Sequence, residues 1–185
     1  VRATREASFD ELKEKAEWYI DVMSRMGVTT VEGKSGYGLD KETEIKQLEV
    51  MKAINEDPMR KVDIATTFLG AHAVPTEYKG REDEYIDFLI EEMMPLIQEK
   101  GLAEHCDIFC EKGVFTVEQS RRLLQAAKER GFGVKIHADE IVSFGGAELA
   151  GELQALSADH LLHASDAGIQ AMANNHVVAT LLPLT

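Results

Sequence analysis

Cysteine is scarce in this chain, with two among 185 residues, Cys106 and Cys110. Their spacing matches no zinc knuckle, and a chain of this length buries enough surface to fold without disulfide staples. Two thiols with no framework around them point to a reducing compartment. No apolar run reaches the ~18 residues that cross a bilayer. The opening residues, VRATREASFD, have none of the apolar core of a signal peptide. Positive charge is also short, since 20 Lys and Arg against 33 Asp and Glu leave a formal net charge of −13. A surface of that sign repels nucleic acid and anionic membrane, so neither is an expected partner. These absences lead to the expectation of a cytoplasmic protein.

A phosphate-binding loop is absent as well. The stretch from Gly27 to Ser35 imitates one, but five residues separate Gly27 from Gly33 where the motif needs four. The strand-like residues also lie inside the stretch, not before it. Nucleotide binding is rejected here.

What remains is an ordinary globular balance, 44% hydrophobic and 29% charged, at the length of one domain. Amphipathic helices alternate with short apolar runs. Ser8 and Glu11 form a capping box for a helix over Phe9–Met26, with Leu12, Ala16, Tyr19, Ile20 and Met23 as its apolar stripe and Gly27 as its stop. Val28–Glu32 reads as a strand, followed by the turn Gly33–Gly38 and a helix capped by Asp40 that ends before Pro58. Further strands are expected at Val62–Leu69, Asp107–Cys110, Val134–His137, Ala158–Leu162 and Val177–Leu182. The intervening helices run to about Lys100, over Thr116–Arg130, over Ala147–Leu156 and over Asp166–Asn174. Met23, Met26, Met51, Met93 and Met94 read as core packing.

Six parallel strands joined by helices fit either a doubly wound open sheet or a (β/α)₈ barrel. The polar residues decide between them. Glu32 and Lys34, then Tyr37, follow the first strand; His72 follows the second, Glu111 the third, His137 with Asp139 and Glu140 the fourth, and Asp159 and His160 lie on the fifth. In a barrel such positions converge on one mouth, whereas a flat sheet spreads them over more than 20 Å at ~4.8 Å per strand. The expected fold is therefore α/β, an incomplete TIM-type barrel forming a single domain over residues 1–185.

Imidazole with carboxylate suits zinc or iron, and a carboxylate near the ion can shuttle a proton. Glu140 is placed to reach over the mouth without ligating, and His160 to polarise a carbonyl or orient the nucleophile. A strand-end histidine standing alone is more often a structural group, but Asp139, Glu140 and His160 turn the reading of His137 toward a ligand. His72 is open between substrate contact and loop architecture, and Tyr37 between substrate donor and turn residue. Glu111 and Lys34 are expected to pair with each other inside the barrel. His105, His163 and His176 are expected at helix ends or outer positions.

The stretches TTVEGKSGYGL, TTFLGAHAVPTEYKGR, CDIFCEKGVF, KIHADE, GGAELA, SADHL and ATLLP, in this order, make the chain similar to the imidazolonepropionase family of the amidohydrolase superfamily. That resemblance implies hydrolysis of 4-imidazolone-5-propanoate to N-formimidoyl-L-glutamate in histidine degradation, with one zinc or iron ion. It further implies that His137 is a metal ligand, Glu140 the acid/base, His160 the histidine beside the catalytic water, and His72 and Tyr37 substrate contacts, with Glu140 also facing the substrate. The family's His-x-His ligand pair is missing from this sequence, as are its last-strand aspartate and an upstream arginine, and Leu184 stands where a glycine is expected. On this reading the chain, which opens on Val1, covers about strands two to seven and lacks the first and last. It is then expected to be inactive alone, to hold metal weakly, and to associate through exposed sheet edges as a possible homo-oligomer. Two other functions are weighed, a purine or pyrimidine deaminase of the same superfamily and a non-catalytic α/β module.

Overall fold

Short apolar strands must be covered, and chain order dictates how. In the computed structural model, which describes residues 1–182, helices α1 (Arg2–Glu6) and α2 (Phe9–Arg25) precede strand β1 (Thr30–Lys34) and helix α3 (Lys41–Glu56). Strand β2 (Asp63–Ala71) leads to α4 (Glu82–Phe88) and α5 (Met94–Lys100), which are joined by a π-helical turn, Leu89–Met93. Then come β3 (His105–Cys110), α6 (Val117–Glu129), β4 (Gly133–Ala138), α7 (Gly146–Glu152), β5 (Ser157–His160), α8 (Asp166–Asn174) and β6 (Val178–Thr180).

Among the described residues all five strand pairings are parallel, and the strands stand side by side in chain order, β1 to β6. Right-handed crossovers that always step to the next strand place every connecting helix on the same face. A doubly wound sheet needs a reversal of order, and this sheet has none. The helix-side face of the sheet presents Ile64, Phe68, Ile108, Val134, Ile136 and Ala158, all buried against residues such as Leu48, Ile86, Met94, Ile97, Leu123 and Leu149. The opposite face is mostly polar, carrying Glu32, Lys34, Asp107, Lys135, His137 and Asp159, with Phe109 against His137.

Curvature follows from contacts that a flat sheet forbids. Lys135 on β4 pairs with Glu32 on β1 at 2.8 Å, and Lys34 on β1 reaches Asp159 on β5 at 3.2 Å. Flat spacing would separate β1 from β5 by about 19 Å. The sheet is therefore rolled with its polar face inward, a half-barrel.

The expected helix starts form at Ser8, whose capping box with Glu11 is complete, and at Asp40, which accepts from the Thr43 N–H. Thr116 with Gln119 forms a further capping box. The differences lie at the ends of elements. The helix expected to reach Leu156 stops at Glu152, and the last strand covers Val178–Thr180 instead of Val177–Leu182. His105 opens β3, where a helix end was expected. Met51, Met93 and Met94 are buried as expected, but Met26 is 71% exposed, because no residue of α2 is fully buried. Leu184 lies outside the described residues.

Candidate active site

The mouth of the half-barrel is made from strand ends whose side chains meet pairwise. Tyr37 follows β1, and its ring stands edge-on to that of His72 at 4.9 Å. His72 lies 5.8 Å, ring to ring, from His137, and His137 lies 5.2 Å from His160. The Nδ1 of His160 is 3.5 Å from Glu140 Oε1. One surface thus carries all five sequence-selected residues, Tyr37, His72, His137, Glu140 and His160.

His160 reaches this surface only through strain. It is paired in register with Ala138, a core residue, and side chains two apart on a strand share a face, so it should point with Ala158 toward the helices. A left-handed backbone at His160 (φ 73°), continued at Leu161 (φ 60°), re-aims the imidazole into the mouth. Asp139 is also left-handed (φ 50°), and its buried carboxylate accepts N–H bonds from Phe144, Gly145, Gly146 and Ala147. The loop carrying Glu140 is therefore held at both ends, because Glu111 accepts the Ile141 N–H at 2.8 Å.

That role corrects the expected pairing of Glu111 with Lys34. Glu111 spends its two oxygens on the backbone of Lys112 and Ile141. Lys34 instead meets Asp107 at 2.7 Å, Glu32 at 3.0 Å and Asp159 at 3.2 Å. Asp107 escaped the sequence reading, although a carboxylate inside the apolar run HCDIFC is costly to bury and signals a partner across the sheet. Asp107 also accepts from His137 Nδ1, with Oδ2 at 3.0 Å and Oδ1 at 3.1 Å.

Electrostatics follow this wiring. Burial would raise the Asp107 carboxyl, but His137 and Lys34 beside it hold it well below the usual carboxylate range. Burial would lower His137, yet the Asp107 charge and hydrogen bond lift it above its ordinary value. Burial lowers His72 and His160, helped in each case by the neighbouring His137, while Glu140 partly offsets the effect on His160.

Ligand atoms of Asp107, His137 and Asp159 lie within 4.8 Å of one another, so this buried group could hold a metal ion. The donor chemistry fits in part. A carboxylate on Nδ1 orients the ring and leaves Nε2 free, the usual arrangement behind a ligating histidine. Asp107, engaged by His137, Lys34 and the Ile108 N–H, fits that orienting role better than ligation. The Lys34 ammonium on Asp159 weakens a second donor. Among the described residues the set falls short of the three protein ligands that catalytic zinc keeps. No helix of the described residues is long and apolar enough to cross a membrane.

Comparison with known proteins agrees with this architecture. No protein-family model matches the chain. Over all 185 residues it is 80% identical to the imidazolonepropionase of Phocaeicola vulgatus, 70% to that of Bacteroides thetaiotaomicron and 62% to that of Clostridium tetani. It spans 45%, 44% and 44% of their respective lengths. Among solved structures it resembles a Xaa-Pro dipeptidase with methionine in its active site, with TM-score 0.66 and 17% identity over 94% of this chain and 47% of the other. It also resembles Arabidopsis ADAL complexed with IMP, with TM-score 0.66 and 11% identity over 94% and 52%. At those identities the likeness is one of fold alone. Along its whole length, then, the chain is a homologue of imidazolonepropionase, matching somewhat under half of that protein's length.

Proposed function

We propose that this chain carries the acid–base and substrate-orienting side of a metal-dependent active site that hydrolyses the cyclic amide 4-imidazolone-5-propanoate to N-formimidoyl-L-glutamate. The observation behind it is the Glu140–His160 contact at 3.5 Å, beside a His137 already oriented by Asp107. His137 would hold zinc or iron through the nitrogen that Asp107 leaves free, and such an ion supplies Lewis acidity for hydrolysis. Glu140, half-buried at the mouth, takes the proton from the attacking water and returns it to the leaving nitrogen. His160, within reach of that carboxylate, orients the water. Tyr37 and His72 form one wall, where they contact the small-molecule substrate. A cytoplasmic site suits this role and the buried free thiols of Cys106 and Cys110.

The metal needs more donors than His137 provides, so the chain by itself should not turn over. The test replaces the matching 185 residues of the Phocaeicola vulgatus enzyme with this chain and follows loss of the imidazolone. Turnover by the graft, with a drop of at least about 100-fold in kcat for Glu140→Gln, is the expected result. A graft whose activity ignores Glu140→Gln refutes the assignment.

A further inference from the structure

The loop after β1 is folded around an anion that belongs to the protein itself. Glu44, near the start of α3 and 1% exposed, accepts backbone N–H bonds from three loop residues. Gly36 donates to Oε2 at 2.9 Å and to Oε1 at 3.1 Å; Gly38 and Leu39 donate to Oε1 at 2.8 and 2.9 Å. Gln47 adds its amide at 3.3 Å. Successive N–H groups closing on one carboxylate form an anion nest. The glycines are required for it. Gly36 is left-handed (φ 109°), and a Cβ there would lie 2.7 Å from the Leu69 carbonyl; one on Gly38 would lie 2.6 Å from Thr43 Cβ.

Tyr37 stands between the two clamped glycines. The residue is 56% exposed, so the nest does not serve to bury it. The ring meets His72 edge-on, and His72 Nδ1 lies 3.2 Å from the carbonyl of the clamped Gly36. A buried carboxylate satisfied by backbone N–H groups is an expensive way to close a surface turn. It makes physical sense where the position of one exposed side chain matters.

We propose that Glu44 is a positioning residue, holding Tyr37 against His72 at the mouth so that the pair meets the substrate already arranged. This rests on the reading of Tyr37 and His72 as substrate contacts. Two sets of measurements separate the claims. On this chain, amide exchange at Gly36, Gly38 and Leu39 and the Tyr37–His72 ring contact are read by NMR. On the graft into the Phocaeicola vulgatus enzyme, KM and kcat are read for Glu44→Ala, Glu44→Gln and Tyr37→Ala.

Glu44→Ala should speed exchange at the three loop amides by about tenfold or more, leave Ile136 and Ala158 protected, and raise KM about tenfold with kcat nearly unchanged. Glu44→Gln keeps an acceptor at the Oε1 position and should fall between, which keeps the idea testable if the alanine variant folds poorly. Unchanged loop exchange and ring contact in Glu44→Ala overturn the proposal. So does a loosened loop with unchanged KM while Tyr37→Ala raises KM. If Tyr37→Ala leaves KM unchanged as well, the substrate-contact reading itself is overturned.

Discussion

The Lys34 ammonium on β1 lies 3.2 Å from the Asp159 carboxylate on β5, with three strands between them. The same ammonium touches Asp107 on β3 at 2.7 Å. One cation thus ties alternate strands of the rolled sheet together across its concave face. Burial would lower the Lys34 amine, but Asp107, Asp159 and Glu32 hold it well above its ordinary value, so it stays charged.

Removing that cation strands its partners. Lys34→Met leaves Asp107, 0% exposed, and Asp159, 5% exposed, without their shared counter-charge. The expected loss is about 3–5 kcal/mol, as for other buried pairs broken on one side. Urea unfolding of Lys34→Met, of Asp107→Asn and of the double variant Lys34→Met/Asp107→Asn measures it. The double variant should lose less than the sum of the singles, because the two groups interact.

Acid sensitivity has a definite sign. Burial would raise the Glu32 carboxyl, but Lys135, Thr67 and Lys34 outweigh it and hold it below its ordinary value of 4.5. The unfolded chain therefore binds this proton at higher pH than the folded one. Glu32 contributes stability that is fully present above about pH 4.5 and is lost as pH falls through the lower folded value. Glu32→Gln should be less stable at neutral pH and should show a flatter decline below that point in a series of denaturation curves.

Strain at His160 predicts an unusual ranking. A left-handed φ of 73° disfavours any side chain with a Cβ, by about 1–2 kcal/mol. His160→Gly should therefore be more stable than His160→Ala by about 1 kcal/mol, the reverse of the order at an ordinary strand position. Equal melting temperatures for the two would show that the backbone relaxes.

Metal content should track donor number. One oriented imidazole beside a lysine-paired aspartate binds zinc weakly, so the dialysed chain should retain well under one zinc per molecule by elemental analysis. In the active graft, His137→Ala should lower metal content as well as activity.

Core packing offers a control away from the mouth. Leu124 is fully buried between α6 and the sheet. Leu124→Ala should cost about 2–5 kcal/mol without altering the loop contacts of Glu44.

Much of this molecule is legible from its residues in order. Alternation of amphipathic helices with short apolar runs implies parallel strands, because hydrophobic period and capping are local properties. Polar residues recurring after successive strands mark a mouth, because parallel strands all end on the same side. The imidazoles and Glu140 were visible for that reason. Which charges pair was not. The sequence leads to an expected Lys34–Glu111 pair, whereas the roll of the sheet brings Lys34 to Asp107 and Asp159 and leaves Glu111 to hold the Ile141 N–H. The inward turn of His160 depends on a left-handed backbone that side-chain alternation forbids, and the nest around Glu44 on how three N–H groups close in space. Local order determined the elements and the kinds of side chain at their ends; the curvature of the sheet, with the backbone turns at its rim, decided which of them touch.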